Sequence, residues 1–193
     1  SEYSSETQTV VKPQLFALNG MIPTSRNTMT YLRYAEALNR AGYPQSAFLI
    51  LKHGMCYDNL VVYVDSVERV AAAELVDFDA NIFPKDHTFG IHSRGSGDSH
   101  INEYYTLPMP TDSLATRQDT IDYQIPLVED MIIDEMALEG AFEGYRYYDL
   151  MRVALRRNDA SYLAAPISRR NGEEDAALRA KLEDTSNWYL PLP

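Results

Sequence analysis

Cysteine is nearly absent from this chain: Cys56 stands alone among 193 residues, so no intramolecular disulfide forms and no cysteine-based zinc site can be built. Long apolar runs are missing too. No stretch approaches the roughly 18 to 20 residues that cross a bilayer as a helix. The opening Ser1-Glu2-Tyr3-Ser4 has neither the basic nor the apolar region of a secretory leader, so an export signal, if the protein is exported, is expected upstream of residue 1. An excess of cations is missing as well. The formal net charge of −11 repels an extended polyanion, which argues against nucleic acid as a partner. The one basic patch, Arg152, Arg156 and Arg157 followed by Arg169 and Arg170, suits the electrostatics of helix ends better than a polyanion site.

The residues that are present belong to an ordinary globular chain. Hydrophobic residues make up 45% and charged residues 23%, and the length suits one domain with a sizeable core. Thr24, Ser25 and Asn27 are good helix N-caps, and Tyr31, Leu32, Ala35, Leu38 and Ala41 recur at helical spacing up to Gly42. Pro44 suits the first turn of a second helix, in which Ala47, Phe48 and Leu51 continue the apolar face until His53-Gly54. This predicts a helical hairpin over 24–54, similar to one tetratricopeptide-type unit. No second copy occurs in the sequence, so its covering neighbours are expected elsewhere in a larger protein. The absence of a start methionine likewise suits the C-terminal part of a longer chain.

Val67 to Val76 reads as another helix, with Val67, Val70, Ala71 and Leu75 on one face. Periodicity then stops over 77–120, where Gly, Pro, Asp, Ser and His crowd together. A long irregular stretch of this kind is often a binding loop packed on a scaffold. Within it Arg94, Asp98, His100, Asn102, Tyr104 and Tyr105 are candidates for a sugar- or peptide-binding surface: aromatic faces stack on a ligand while planar polar groups fix its hydroxyls or amides. The alternative is a packed polar loop with half-buried tyrosine rings. His87, His92 and His100 lack the spacing of a metal site, and neither a His-Glu-x-x-His helix nor a Gly-x-Ser-x-Gly elbow occurs. No metal, cofactor or catalytic residue is assigned.

Helical patterning resumes at Ile121, with Pro126 expected in the first turn and Ile121, Ile125, Val128, Ile132 and Met136 as the apolar stripe. It runs past Arg156 over 121–157, with a bend or a junction of two helices near Glu143-Gly144. Glu139, Glu143, Arg146, Asp149 and Arg152 fall three or four residues apart, which predicts an ion-pair ladder along one helix face. Carboxylates with arginines as helical neighbours are poor candidates for glycoside hydrolysis, because the cations suppress the protonated acid that this chemistry needs. A last helix is predicted from Glu173 to Leu182. Trp188-Tyr189-Leu190-Pro191-Leu192-Pro193 then forms a non-helical strap, with Trp188 as a core anchor and 173–193 as one terminal unit.

The run Glu-Met-Ala-Leu-Glu-Gly-Ala-Phe-Glu-Gly-Tyr-Arg-Tyr-Tyr-Asp-Leu-Met-Arg, from Glu135 to Arg152, resembles the C-terminal signature of the SusD/RagB family, which reads approximately E-R-x-x-E-L-x-F-E-G-x-R-x-x-D-L-x-R. Met136 replaces the signature's arginine and Gly140 its leucine. The helix Tyr31 to Gly42 and the terminal Tyr189-Leu190-Pro191-Leu192-Pro193 fit the same family in the same order. The resemblance implies a mostly α, SusD-like fold, with the tetratricopeptide-like hairpin packed on a loop-rich C-terminal region. It also implies a non-catalytic lipoprotein of the outer-membrane surface of Bacteroidetes-type bacteria, anchored by a lipid upstream of this chain. Such a protein captures glycans, or peptides in some members, and passes them to a SusC-like TonB-dependent transporter. Two other readings stay open: a tetratricopeptide-type protein-interaction module, which needs a concave groove and several repeats, and a glycoside hydrolase, which needs converging carboxylates or a metal.

Overall fold

The computed structural model describes residues 2–3, 10–11, 27–54, 62–77, 91, 105–112 and 115–189. The chain is mostly helical. Two short strands, β1 (Glu2–Tyr3) and β2 (Val10–Val11), pair antiparallel with Glu2 opposite Val11. The helices are α1 (Asn27–Arg40), α2 (Pro44–His53), α3 (Ser66–Ala71), α4 (Arg117–Glu139), α5 (Arg146–Arg157), α6 (Ser161–Ser168) and α7 (Ala176–Glu183), followed by a 3-10 helix at Thr185–Trp188.

The predicted hairpin is α1 and α2. Gly42 makes the turn at φ 93°, a left-handed value that a side chain resists, and Pro44 opens α2 where its missing N–H costs no helical bond. Leu32, Ala35 and Leu38 of α1 and Ala47, Ile50 and Leu51 of α2 are buried. Each large side chain contributes about 1.5 to 3 kcal/mol by leaving water. What covers them is α4, which packs on both hairpin helices with Val128, Ile132, Ile133 and Met136. The neighbour of the hairpin therefore lies in the same chain, contrary to the expectation from the missing repeats. α5, α6 and α7 pack in succession at the far end, and Trp188 closes that end with its indole N–H on the Leu182 carbonyl at 2.6 Å.

Several boundaries differ from the sequence reading, each for a local reason. α4 begins four residues before Ile121, because Thr116 and Asp119 form a reciprocal capping box. Pro126 therefore lies inside α4 and not in its first turn. It removes one helical donor there, and the carbonyls of Ile125 and Pro126 accept from Asn39 (2.8 Å) and Arg157 (3.1 Å). α6 has no counterpart in the sequence pattern, since its eight residues include Pro166 and carry no side-chain cap. α7 starts at Ala176, where Asp175 accepts from the Leu178 N–H. Residues 190–193 of the terminal strap lie outside the described residues, whereas Trp188 is buried as anticipated.

α3 inverts the predicted face. Val67, Val70 and Leu75 point to solvent and Glu68 is buried. Its carboxylate accepts from the backbone N–H groups of Ser46 (2.7 Å) and Gln45 (3.3 Å), the open donors of the first turn of α2. A helix of six residues rotates to serve those donors, leaving its valines outside.

Candidate functional site

Two sets of polar side chains stand out in this bundle, one holding helices together and one holding a segment of irregular chain on α4. The second set makes a groove. Gln124 and Glu135 sit three turns apart on one face of α4, both buried, and they grip residues 105–112 at two points. Gln124 donates to the Pro108 carbonyl at 2.9 Å, and Tyr105 donates its hydroxyl to Glu135 at 2.5 Å. Lys52 of α2 reaches over the Phe48 ring to the Tyr105 carbonyl at 2.8 Å. Burial, reinforced by the Glu135 carboxylate, raises the Tyr105 phenol far above its ordinary range, so it remains a donor throughout the neutral range.

Between this strap and the neighbouring face of α4 lies a groove of about 710 Å³. Thr106, Leu107, Pro108 and Met109 form one wall; Tyr123, Leu127, Asp130, Met131 and Asp134, at helical spacing, form the other. Met109 and Tyr123 are exposed at its mouth. Asp134 pairs with Arg146 at 3.0 Å, and Asp130 accepts from Arg157 at 2.7 Å and from the Tyr162 hydroxyl at 3.0 Å. Burial and the adjoining Asp130 carboxylate raise the Tyr162 phenol, while Arg157 lies 4.6 Å over its ring. The groove thus offers an apolar floor, one aromatic ring and a row of acceptor oxygens along its helical wall. A volume of this size lies within the roughly 300 to 1,000 Å³ typical of small-ligand sites.

The other polar set ties α1, α4 and α5 together. Glu36 of α1 is buried and receives Arg152 of α5 in a two-pronged contact, together with Arg33 and Arg40 of its own helix. Asp149 takes Arg33 at 2.6 Å and Arg152 at 3.0 Å. Glu129 of α4 receives Arg40, Arg156 and Arg157. Burial alone would raise the Glu129 carboxyl, but the three guanidinium groups outweigh it and hold the group below its ordinary value. Burial would likewise lower Arg152, and Glu36 and Asp149 overcome it.

The predicted ladder is therefore redistributed. α4 ends at Gly140, a position where any Cβ would sit 2.8 Å from the Met136 carbonyl oxygen, and the chain turns over 140–145 before α5 begins. Glu139 and Glu143 consequently lie before the turn's end and do not share a helix face with Arg146, Asp149 and Arg152. Arg146 reaches back to the Ile133 carbonyl (2.7 Å) and Asp134, while Asp149 and Arg152 look across to α1. Of the candidate ligand residues, Arg94, Asp98, His100, Asn102 and Tyr104 lie outside the described residues, and so do His87 and His92. Tyr105 is the one candidate whose place is seen, and it anchors the strap instead of lining the groove. Among the described residues no group of three or more His, Cys, Asp or Glu is arranged to hold a metal ion.

The SusD family model matches residues 19–193 of the sequence. The chain belongs to the SusD family. No curated protein and no solved structure matches it. Proteins of this family are nutrient-binding and cell-surface associated, and they are generally non-catalytic. No helix among the described residues is long and apolar enough to cross a membrane. Within the SusD signature of this chain, Asp149 and Arg152 are structural: they fasten α5 to α1. Sequence reasoning missed their partners Arg33, Glu36 and Arg40, although one signal was present. Glu36 and Asn39 fall inside the apolar face marked by Leu32, Ala35 and Leu38, and a polar residue on such a face needs a buried partner. Gln124 and Glu135 flank the apolar stripe of α4 in the same way.

Proposed function

We propose that this protein captures glycan or peptide nutrients at the cell surface without hydrolysing them and delivers them to a SusC-like TonB-dependent transporter. It does so as the C-terminal portion of a longer lipoprotein, anchored in the outer membrane of a Bacteroidetes-type bacterium by a lipid upstream. The observation that carries this reading is the SusD family match over 19–193. The groove between the strap and α4 is its ligand-contacting surface in this part of the chain, supported by its volume, its apolar floor and the acceptor oxygens of Asp130 and Asp134. Both carboxylates already accept from an arginine, an arrangement suited to holding a ligand's donors.

Calorimetric titration of the full-length protein against panels of oligosaccharides and peptides, with products followed by chromatography, tests this. Binding without turnover is the expected result. Turnover overturns the non-catalytic reading, and failure to bind either panel returns weight to a protein-interaction module. Co-purification with a SusC-like transporter tests delivery independently. The interaction-module reading gains no support from the hairpin, whose apolar face is covered by α4.

A further inference from the structure

Resting on the reading of the strap groove as a ligand surface, we propose that it takes an extended peptide carrying a basic side chain in preference to a glycan. Three features of the groove point the same way. The first is the backbone of the strap. Leu107 and Met109 each precede a proline, a position that disfavours helix and holds the residue extended. The Pro108 carbonyl is turned to α4 by Gln124, whereas the N–H and carbonyl groups of Leu107 and Met109 make no hydrogen bond among the described residues. Unpaired main-chain donors and acceptors along an extended segment are what a peptide strand uses when it adds to an edge.

The second feature is charge. Asp130 and Asp134 stand one turn apart on the opposite wall, and in both the arginine partner occupies Oδ1. Oδ2 of each carries no bond among the described residues, so two acceptor atoms remain for a lysine or arginine side chain. The third is composition. Among the described residues Tyr123 is the only aromatic ring lining the groove, and most of the remaining lining is apolar: Leu107, Pro108, Met109, Leu127 and Met131. Glycan recognition relies on stacking rings and planar amides, whereas aliphatic and methionine side chains adapt to the side chains of peptides.

The test is fluorescence polarisation of the full-length protein with a labelled valine-lysine hexapeptide, the same peptide N-methylated at alternate amides, a valine-serine hexapeptide, and maltohexaose as competitor. The valine-lysine peptide is expected to bind and to resist maltohexaose. N-methylation is expected to weaken it about tenfold, and Asp134→Asn to erase its advantage over the valine-serine peptide. Tyr105→Phe, which frees one end of the strap, is expected to weaken all peptides together, with thermal melts confirming that each variant folds. Equal binding of the N-methylated peptide, or an unchanged lysine preference in Asp134→Asn, overturns the proposal while leaving nutrient capture standing. Binding of maltohexaose alone does the same. If neither class of ligand binds, both readings fall.

Discussion

Of the five carboxylates buried among the described residues, four are held in two different ways, and their contrast explains much of the design. Glu36, Asp149 and Glu129 are each held by two or more arginines drawn from two or more helices, while Glu68 accepts backbone N–H groups at the start of α2. Glu129 lies below its ordinary pKa because guanidinium groups outweigh burial; Glu68 lies above it because burial outweighs the bonds from Ser46 and Gln45, and the nearby Asp65 charge adds to the rise. Asp65 itself is wetter. Burial would raise it, but Arg117, the Glu68 N–H and Gln45 hold it at about 2. A buried anion is tolerated at a helix start, but only a cation from another element turns it into a joint between helices.

The largest effect is expected at that joint. Arg152→Ala leaves Glu36 and Asp149 buried with fewer partners, and urea unfolding should show a loss of about 3 kcal/mol, the low end for breaking a buried pair because Arg33 and Arg40 remain. The double variant Glu36→Leu with Arg152→Leu should lose less than Arg152→Ala alone; a loss that adds instead would show that the two side chains act independently. Next in size is the strap anchor. Tyr105→Phe removes the hydroxyl that donates to Glu135, for a loss of about 1 kcal/mol and faster amide exchange over 105–112.

The pH dependence sharpens the contrast, because the two classes have opposite signs. Glu129 is depressed in the folded state, so its contribution is present above the unfolded value near 4.5 and disappears as the pH falls through the folded value. Glu68 is raised, so the folded protein takes up that proton first. Stability therefore increases as the pH is lowered through the folded value towards 4.5, and decreases as the pH is raised again. Glu68→Gln keeps an acceptor and should flatten the slope just above pH 4.5; Glu129→Gln should flatten it below. Chemical denaturation between pH 3 and pH 7 distinguishes them. The smallest expected effect is a gain. Phe142 adopts φ 67° in the turn over 140–145 with its ring fully exposed, and Phe142→Gly should raise stability by up to about 1 kcal/mol.

Much of this fold was legible because its signals are local. Gly42-Tyr43-Pro44 fixes a turn by backbone geometry, and Leu32, Ala35 and Leu38 mark a buried face whatever they pack against. The capping box at Thr116 and Asp119 is just as local, but the apolar stripe that marks the helix begins only at Ile121. The groove was less accessible. Its lower wall lies within 77–120, where the sequence pointed to a ligand surface, but its residues are Leu107, Pro108 and Met109, whose apolar character gives no functional signal alone.

By itself the sequence determined the helical class, the hairpin, the buried Trp188 and the family, since each rests on spacing or on a motif carried by neighbouring residues. Only the tertiary structure decided where the charges go. Glu36 meets Arg152 across 116 positions of chain, α3 turns its valines outward to bring Glu68 to α2, and Asp130 and Asp134 gain a facing wall when Gln124 draws the strap onto α4. The reason is physical: apolar burial depends mainly on how much surface leaves water, whereas a buried charge depends on one partner in one place, and that place exists only after the helices have packed.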